Sequence, residues 1–225
     1  MSKKKCSSLG RKYWMAASGL FLIIFLAQHF TINFLSVVSA DAFNEASHFM
    51  GTNPFVQFIL QPILMAGVVF HFVMGFVLEI QNRSARPIKY NVSSGTANAT
   101  WMSKNMIISG ITILLFLLLH FIDFWFPEMH TKYVLGDMSG LNEAGEYRYY
   151  EELVEEFSNP LRVGVYILAF IFLSLHLLHG FQSAFQSFGL RHPKYTPFIK
   201  AFGNFFAIVI PAGFAVIAIY HYVAH

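Results

Sequence analysis

Ten histidines stand in a chain of 225 residues that carries only 12 Asp+Glu, and five of them lie inside long apolar stretches: His29, His71, His120, His176 and His179. An imidazole is a metal ligand, a proton carrier or a hydrogen-bond partner, and inside a bilayer an ionisable side chain is expensive and usually functional. Two patterns organise these five. Ser18-Gly19 is followed, ten positions after the glycine, by His29, and Ser109-Gly110 is followed in the same way by His120. His71 has Gly75 at i+4, and His176 has Gly180 at i+4. A glycine one turn from a histidine, or roughly 15 Å below it on nearly the same helix face, opens space for a flat, bulky group between helices. Two imidazoles from two helices, with that clearance, are what bis-histidine haem ligation requires. Two matched pairs imply two haems.

The elements that must position these residues are apolar and long. The chain is 56% hydrophobic, 17% aromatic and 12% charged, against roughly 25% charged for a soluble domain. The sequence predicts an all-α integral membrane bundle forming a single domain over 1–225. Its five transmembrane helices fall at about 13–38, 56–80, 105–126, 160–186 and 201–223, each long enough to cross a hydrocarbon core of about 30 Å. The connections read as a short loop from Ser39 to Phe55, a polar loop from Gln81 to Lys104, a long acidic loop from Pro127 to Asn159, and a turn around Arg191-His192-Pro193. Within the acidic loop, Tyr149 to Phe157 suits a surface helix. The apolar run from Met15 to Val38 spans 24 residues, beyond the roughly 7–15 of a signal-peptide core, and reads as a retained helix although Val38-Ser39-Ala40 resembles a cleavage site.

Charge orients the bundle. With the N-terminus inside, 12 of the 15 basic residues face the cytoplasm: Lys3, Lys4, Lys5, Arg11, Lys12, Arg83, Arg86, Lys89, Lys104, Arg191, Lys194 and Lys200. Lys132, Arg148 and Arg162 remain outside, so the positive-inside rule predicts a cytoplasmic N-terminus. Counted from the nearest inner charge, His29 and His120 lie roughly 25 Å deep, and His71, His176 and His179 roughly 18–23 Å. This layering pairs the helices as the glycines do. His48, His130, His192, His221 and His225 fall in loops or at a helix end and read as peripheral.

Several classes are disfavoured. The net charge of +3 is small and its basic residues are dispersed, so nucleic acid is not expected as a partner. Cys6 is the only cysteine, which excludes a disulfide framework, a covalent haem site of the CxxCH type and a cysteine-ligated iron–sulfur cluster in this chain. The bland alternative for the membrane histidines is interhelical hydrogen bonding. A transporter's proton relay would normally need carboxylates within the bilayer, whereas Glu79 and Asp123 are placed at helix ends. Trp14, Trp101, Trp125 and the many phenylalanines suit lipid-facing and interfacial positions.

In this arrangement the chain resembles the single-chain, five-helix dihaem cytochrome b anchor of succinate:quinone oxidoreductases. The resemblance rests on Gln28-His29-Phe30, on the stretch from Ala42 to Met50, on His71 with Gly75, on His120, and on His176 through Gly180 to Gly189. It implies that His71 and His176 ligate a b haem nearer the cytoplasm, and that His29 and His120 ligate an outer one. His179 is the alternative to His176, which is preferred because its 13-residue spacing to Gly189 matches the family pattern; His179 is then left for a neighbouring helix, a haem propionate or a quinone. The resemblance further implies a bacterial cytoplasmic (inner) membrane location. The implied partners are a FAD flavoprotein subunit and an iron–sulfur subunit on the cytoplasmic side, which would carry the dicarboxylate chemistry. Electrons would pass to or from a membrane quinone, menaquinone for a dihaem single-anchor member. Arg83, Lys104, Arg191 and Arg162 are candidate propionate partners or simple topology determinants. Gln28, Asn33 and Ser36 either line a quinone pocket or bond between helices. The alternatives are the dihaem anchor of a formate dehydrogenase or hydrogenase, and a haem-free transporter or assembly anchor.

Overall fold

The computed structural model describes residues 8–84 and 106–225. Lys3, Lys4, Lys5, Cys6, Arg86, Lys89, Trp101 and Lys104 lie outside the described residues. Helix α1 (Ser8–Val38) carries charge only at Arg11 and Lys12 near its start. Ser39 ends it and caps α2 (Ala40–Thr52), its Oγ accepting from Ala42 N–H at 3.3 Å, with Asp41 in the positive first turn. The second span opens with a π-helical turn, Val56–Leu60, and continues as α3 (Gln61–Ser84). The third joins α4 (Met106–His120), a π-helical turn at Phe121–Trp125 and α5 (Phe126–Tyr133). The short α6 (Tyr149–Phe157) precedes α7 (Pro160–Ser187) and α8 (Thr196–Ala224).

Local chemistry sets the ends of α7. Asn159 accepts from the N–H groups of Leu161 and Arg162, and Pro160 occupies the first turn, where its missing donor is not needed. At the other end Leu190 N–H reaches the Phe185 carbonyl and Gly189 N–H the Gln186 carbonyl, both at 3.1 Å, with Gly189 at φ +75°. This is the left-handed closure that favours glycine.

Five helical stretches of 28–30 residues are long and apolar enough to cross a membrane: Leu9–Val38, Val56–Ser84, Met106–Tyr133, Pro160–Ser187 and Thr196–Ala224. The expected all-α membrane bundle is therefore observed, and no strand occurs among the described residues. The four spans that bear His29, His71, His120 and the His176/His179 pair form a closed ring: α1 packs on α3, α3 on α4, α4 on α7 and α7 on α1. The fifth span, α8, lies outside this ring, across the seam between α7 and α1. Large apolar residues such as Ile24, Phe58, Val69 and Phe205 are exposed along the spans, as expected of surfaces that face lipid. The larger buried cluster gathers where α2 and α6 cap the bundle, around Phe43, Leu153, Phe157, Tyr166, Phe170 and Phe214, and a smaller one joins α7 to α8 at Leu177, Phe206 and Ala207.

Three expectations are corrected. The segment from Ser39 to Phe55 is largely helix α2, because Ser39 caps it and Phe43 is buried against the core. The third span runs to Tyr133 rather than 126, so Asp123 sits within it and is buried. Two residues of α7 offset the charge of that carboxylate, which is why an acid survives there: Arg162 Nη1 pairs with its Oδ1 at 2.9 Å, and the Tyr166 hydroxyl donates to its Oδ2 at 2.6 Å. Finally, His221 is fully buried rather than peripheral. The last turns of α8 pass beneath Tyr150 of α6 and against α1, where Ser36 Oγ lies 2.9 Å from His221 Nε2.

Candidate functional site

The ring of four helices brings four of the five membrane histidines together in two pairs. His71 of α3 and His176 of α7 have ring centroids 6.3 Å apart with planes at 67°, toward the end of the bundle where α1 begins. His29 of α1 and His120 of α4 are 5.7 Å apart with planes at 78°, toward the capped end. Ser18, which touches His71, precedes His29 by 11 residues, so the pairs are separated by roughly 16 Å along α1. His179 is half-buried and lies one turn along α7; the ring beside His71 is that of His176.

The first pair is braced by hydroxyls. Ser18 Oγ and His71 Nδ1 share a hydrogen bond of 3.0 Å, and Ser109 Oγ and His176 Nδ1 share one of 3.2 Å. Each serine also donates one turn back, to the carbonyls of Met15 and Met106 respectively, at 2.9 Å. The small residues follow the same symmetry. A Cβ on Gly19 would stand 3.4 Å from His71 Cε1, and one on Gly110 would stand 4.0 Å from His176 Cε1. Gly75 faces Met15 and Gly180 faces Met106. The half built from α1 and α3 is thus repeated by the half built from α4 and α7.

The second pair is held by aromatic packing. His29 stacks on Phe25 at 5.4 Å and leans on Phe214 at 5.6 Å. His120 packs on Phe116, Phe124 and Tyr166. The Asn33 amide donates to the His29 carbonyl at 2.9 Å and lies 3.3 Å from His29 Nδ1. The Nδ1 of His120 is buried without a hydrogen-bond partner.

Beyond the second pair lies an ionic layer. Arg162 pairs with Glu156 as well as with Asp123. Lys132, only 1% exposed, pairs with Glu128 at 2.6 Å and donates to the Gly51 carbonyl, tying α5 to the end of α2. Arg148 bridges Glu128 and Glu152. Burial lifts the Glu152 carboxyl above its ordinary value against the pull of Arg148, and lifts Glu156 against Arg162. The Tyr149 phenol is pushed up to about 12, by burial first and then by Glu128.

The remaining candidates resolve individually. Arg83 pairs with Glu79 at 2.6 Å, Gln28 reaches Met50 Sδ at 3.6 Å, and Ser36 joins α1 to α8 through His221. His48 is half-buried and stacked on Tyr147, while His130, His192 and His225 are exposed. Sequence reasoning missed the bracing role of Ser18 and Ser109, although a signal was present: Met-x-x-Ser-Gly occurs at both Met15 and Met106. It also missed His221, whose place near the chain end hides its burial.

The donor sets bear on which metal could fit. Among the described residues no three of His, Cys, Asp or Glu gather as a metal cage. A pair of imidazoles alone suits a metal that brings its own equatorial donors, as haem iron does. Metal–imidazole bonds of about 2 Å on opposite sides of one ion place the two ring centroids roughly 6 Å apart, and both pairs lie close to that value.

One curated relative fits this picture. The chain is 23% identical over 187 residues to the succinate dehydrogenase cytochrome b558 subunit of Bacillus subtilis (strain 168), covering 83% of this chain and 81% of that protein. No protein-family model matches the chain, and no solved structure matches it.

Proposed function

We propose that this chain is the cytochrome b membrane anchor of a succinate dehydrogenase or fumarate reductase, acting as one transmembrane domain in which His71 with His176 and His29 with His120 would each hold one of two b haems. One observation carries the reading: two imidazole pairs, each from two different helices, are spaced for opposite faces of one metal inside a closed ring of apolar helices. The name and coverage of the Bacillus subtilis relative support it. A haem held by each pair would supply a one-electron couple, and His71 with His176 and His29 with His120 would then set two such couples along the bundle between an iron–sulfur partner and a membrane quinone.

The chain's own residues do the rest. The four imidazoles supply neutral nitrogen donors, and the apolar ring excludes water and so favours low net charge at each centre. The phenylalanines around His29 and His120 fix ring orientation sterically. The basic residues Arg11, Lys12, Arg83, Arg191, Lys194 and Lys200 place the N-terminal end in the cytoplasm under the positive-inside rule. Flavoprotein and iron–sulfur partners then dock on that face, His71 and His176 form the inner pair, and the cap of α2, α5 and α6 faces outward. Menaquinone is the expected quinone and the bacterial inner membrane the expected location.

The test is the dithionite-reduced spectrum of the purified full-length chain. Two low-spin b haems per chain support the reading, and the absence of b bands overturns it. Copurification of a flavoprotein and an iron–sulfur protein with succinate:quinone activity separates it from the anchor of a formate dehydrogenase or hydrogenase.

A further inference from the structure

We propose that Ser18 and Ser109 are positioning residues that set the tautomer and donor strength of His71 and His176, and so tune the inner centre alone. The inference rests on the haem reading above. A serine hydroxyl has one proton to give and accepts through its remaining lone pairs. In both serines that proton has a carbonyl to meet, Met15 O and Met106 O, at 2.9 Å. The oxygen is left as an acceptor, facing Nδ1 of His71 at 3.0 Å and Nδ1 of His176 at 3.2 Å. A neutral imidazole that gives its Nδ1–H to an acceptor keeps its Nε2 lone pair free, which is the tautomer an axial ligand needs. The opposite arrangement, with serine donating to Nδ1, would put the proton on Nε2 and block ligation.

The arrangement recurs in both halves of the bundle from the same local sequence, Met-x-x-Ser-Gly. The glycine after each serine is the one whose added Cβ would come nearest the same imidazole. Each motif therefore supplies an acceptor and clearance at one height of the bundle. The outer pair has no equivalent: the group facing His29 Nδ1 is the Asn33 amide nitrogen, and His120 Nδ1 has no partner. An acceptor on Nδ1–H raises ligand basicity and favours the ferric form. Its removal should make the inner centre easier to reduce and leave the outer one unchanged.

The experiment is a spectroscopic redox titration of the full-length chain carrying Ser18→Val, Ser109→Val, Ser18→Thr and Ser109→Thr. Valine and threonine have nearly the same shape, and only threonine keeps the hydroxyl. The inner centre is assigned from His29→Ala, which should retain it. Each valine variant should shift the one-electron equilibrium of the inner centre toward reduction by up to about tenfold, about 59 mV for one electron, and each threonine variant should titrate like the parent chain. Selective loss of the inner haem from a valine variant, with retention in its threonine counterpart, also supports the proposal. Equal shifts in the threonine and valine variants, or an unmoved inner potential in a valine variant that binds both haems, overturn it. A parent chain without b haem would overturn the haem reading itself, which is a different result from any of these.

Discussion

His71 and His176 are each braced by a serine on a neighbouring helix, whereas His29 and His120 are wedged among phenylalanines and leave one Nδ1 unpartnered. Both pairs are imidazoles, but the pair proposed as inner is held by directional bonds and the pair proposed as outer mainly by shape. The polar groups differ in the same sense. Around the inner pair they touch the imidazoles directly. Around the outer pair Asn33 bonds His29, while the others stand one layer back, as Ser36 with His221 and as Asp123 with Tyr166 and Arg162. A hydrogen bond to a ligand acts on its electron density, while packing acts on its orientation. Equal ligand sets can therefore be given unequal properties by their surroundings.

The largest effects test whether the layers are separate. On the proposed ligation, replacing His29 or His120 by alanine should remove one of two haems and spare the other, as should replacing His71 or His176, measured as haem per chain by the pyridine haemochrome. Loss of both haems from any one variant would break the division into layers. His179→Ala should keep both, and loss of the inner haem from it would reassign the fourth ligand.

Next in size is the ionic layer. Asp123→Ala leaves Arg162 and the Tyr166 hydroxyl without their buried acceptor and should cost about 3 kcal/mol, the lower end for breaking a buried pair because Glu156 still faces Arg162. The expected readout is earlier thermal loss of the outer haem. Equal loss of inner and outer absorbance would show that the cap supports the whole bundle instead.

Ser36→Ala strands the buried His221 ring and should cost about 1–3 kcal/mol, while His221→Phe, which removes the polar ring together with its need for a partner, should cost less. Thermal denaturation of the two variants compares them directly, and a costlier His221→Phe would point to a role beyond packing. The smallest difference lies within the inner layer. An added methyl at Gly19 meets His71 at 3.4 Å, and one at Gly110 meets His176 only at 4.0 Å. Gly19→Ala should therefore perturb the inner haem spectrum more than Gly110→Ala, and the reverse order would contradict the geometry.

Much of this was legible in the chain itself. Five apolar stretches announce the spans because a bilayer tolerates little charge, and the repeated offsets from Gly19 to His29 and from Gly110 to His120 mark two helices whose histidines stand side by side. What was not legible has a common cause. His221 lies four residues from the chain end, where exposure is the ordinary expectation, and its burial depends on α6 folding back over α8. Asp123 reads as a helix-end acid because its partners Arg162 and Tyr166 lie more than 35 positions later.

Composition and period settle by themselves that this chain is a bundle of apolar helices and that its histidines come in matched sets, since both follow from what a bilayer excludes and from the 3.6-residue turn. Which ring faces which, and what stands behind each, was decided only when four helices closed into a ring and a fifth sealed one seam. Hydrogen bonds and ring contacts depend on distances of a few ångströms between segments remote in sequence. Those distances belong to the packing, and they separate a serine-braced inner pair from an aromatic-wedged outer one.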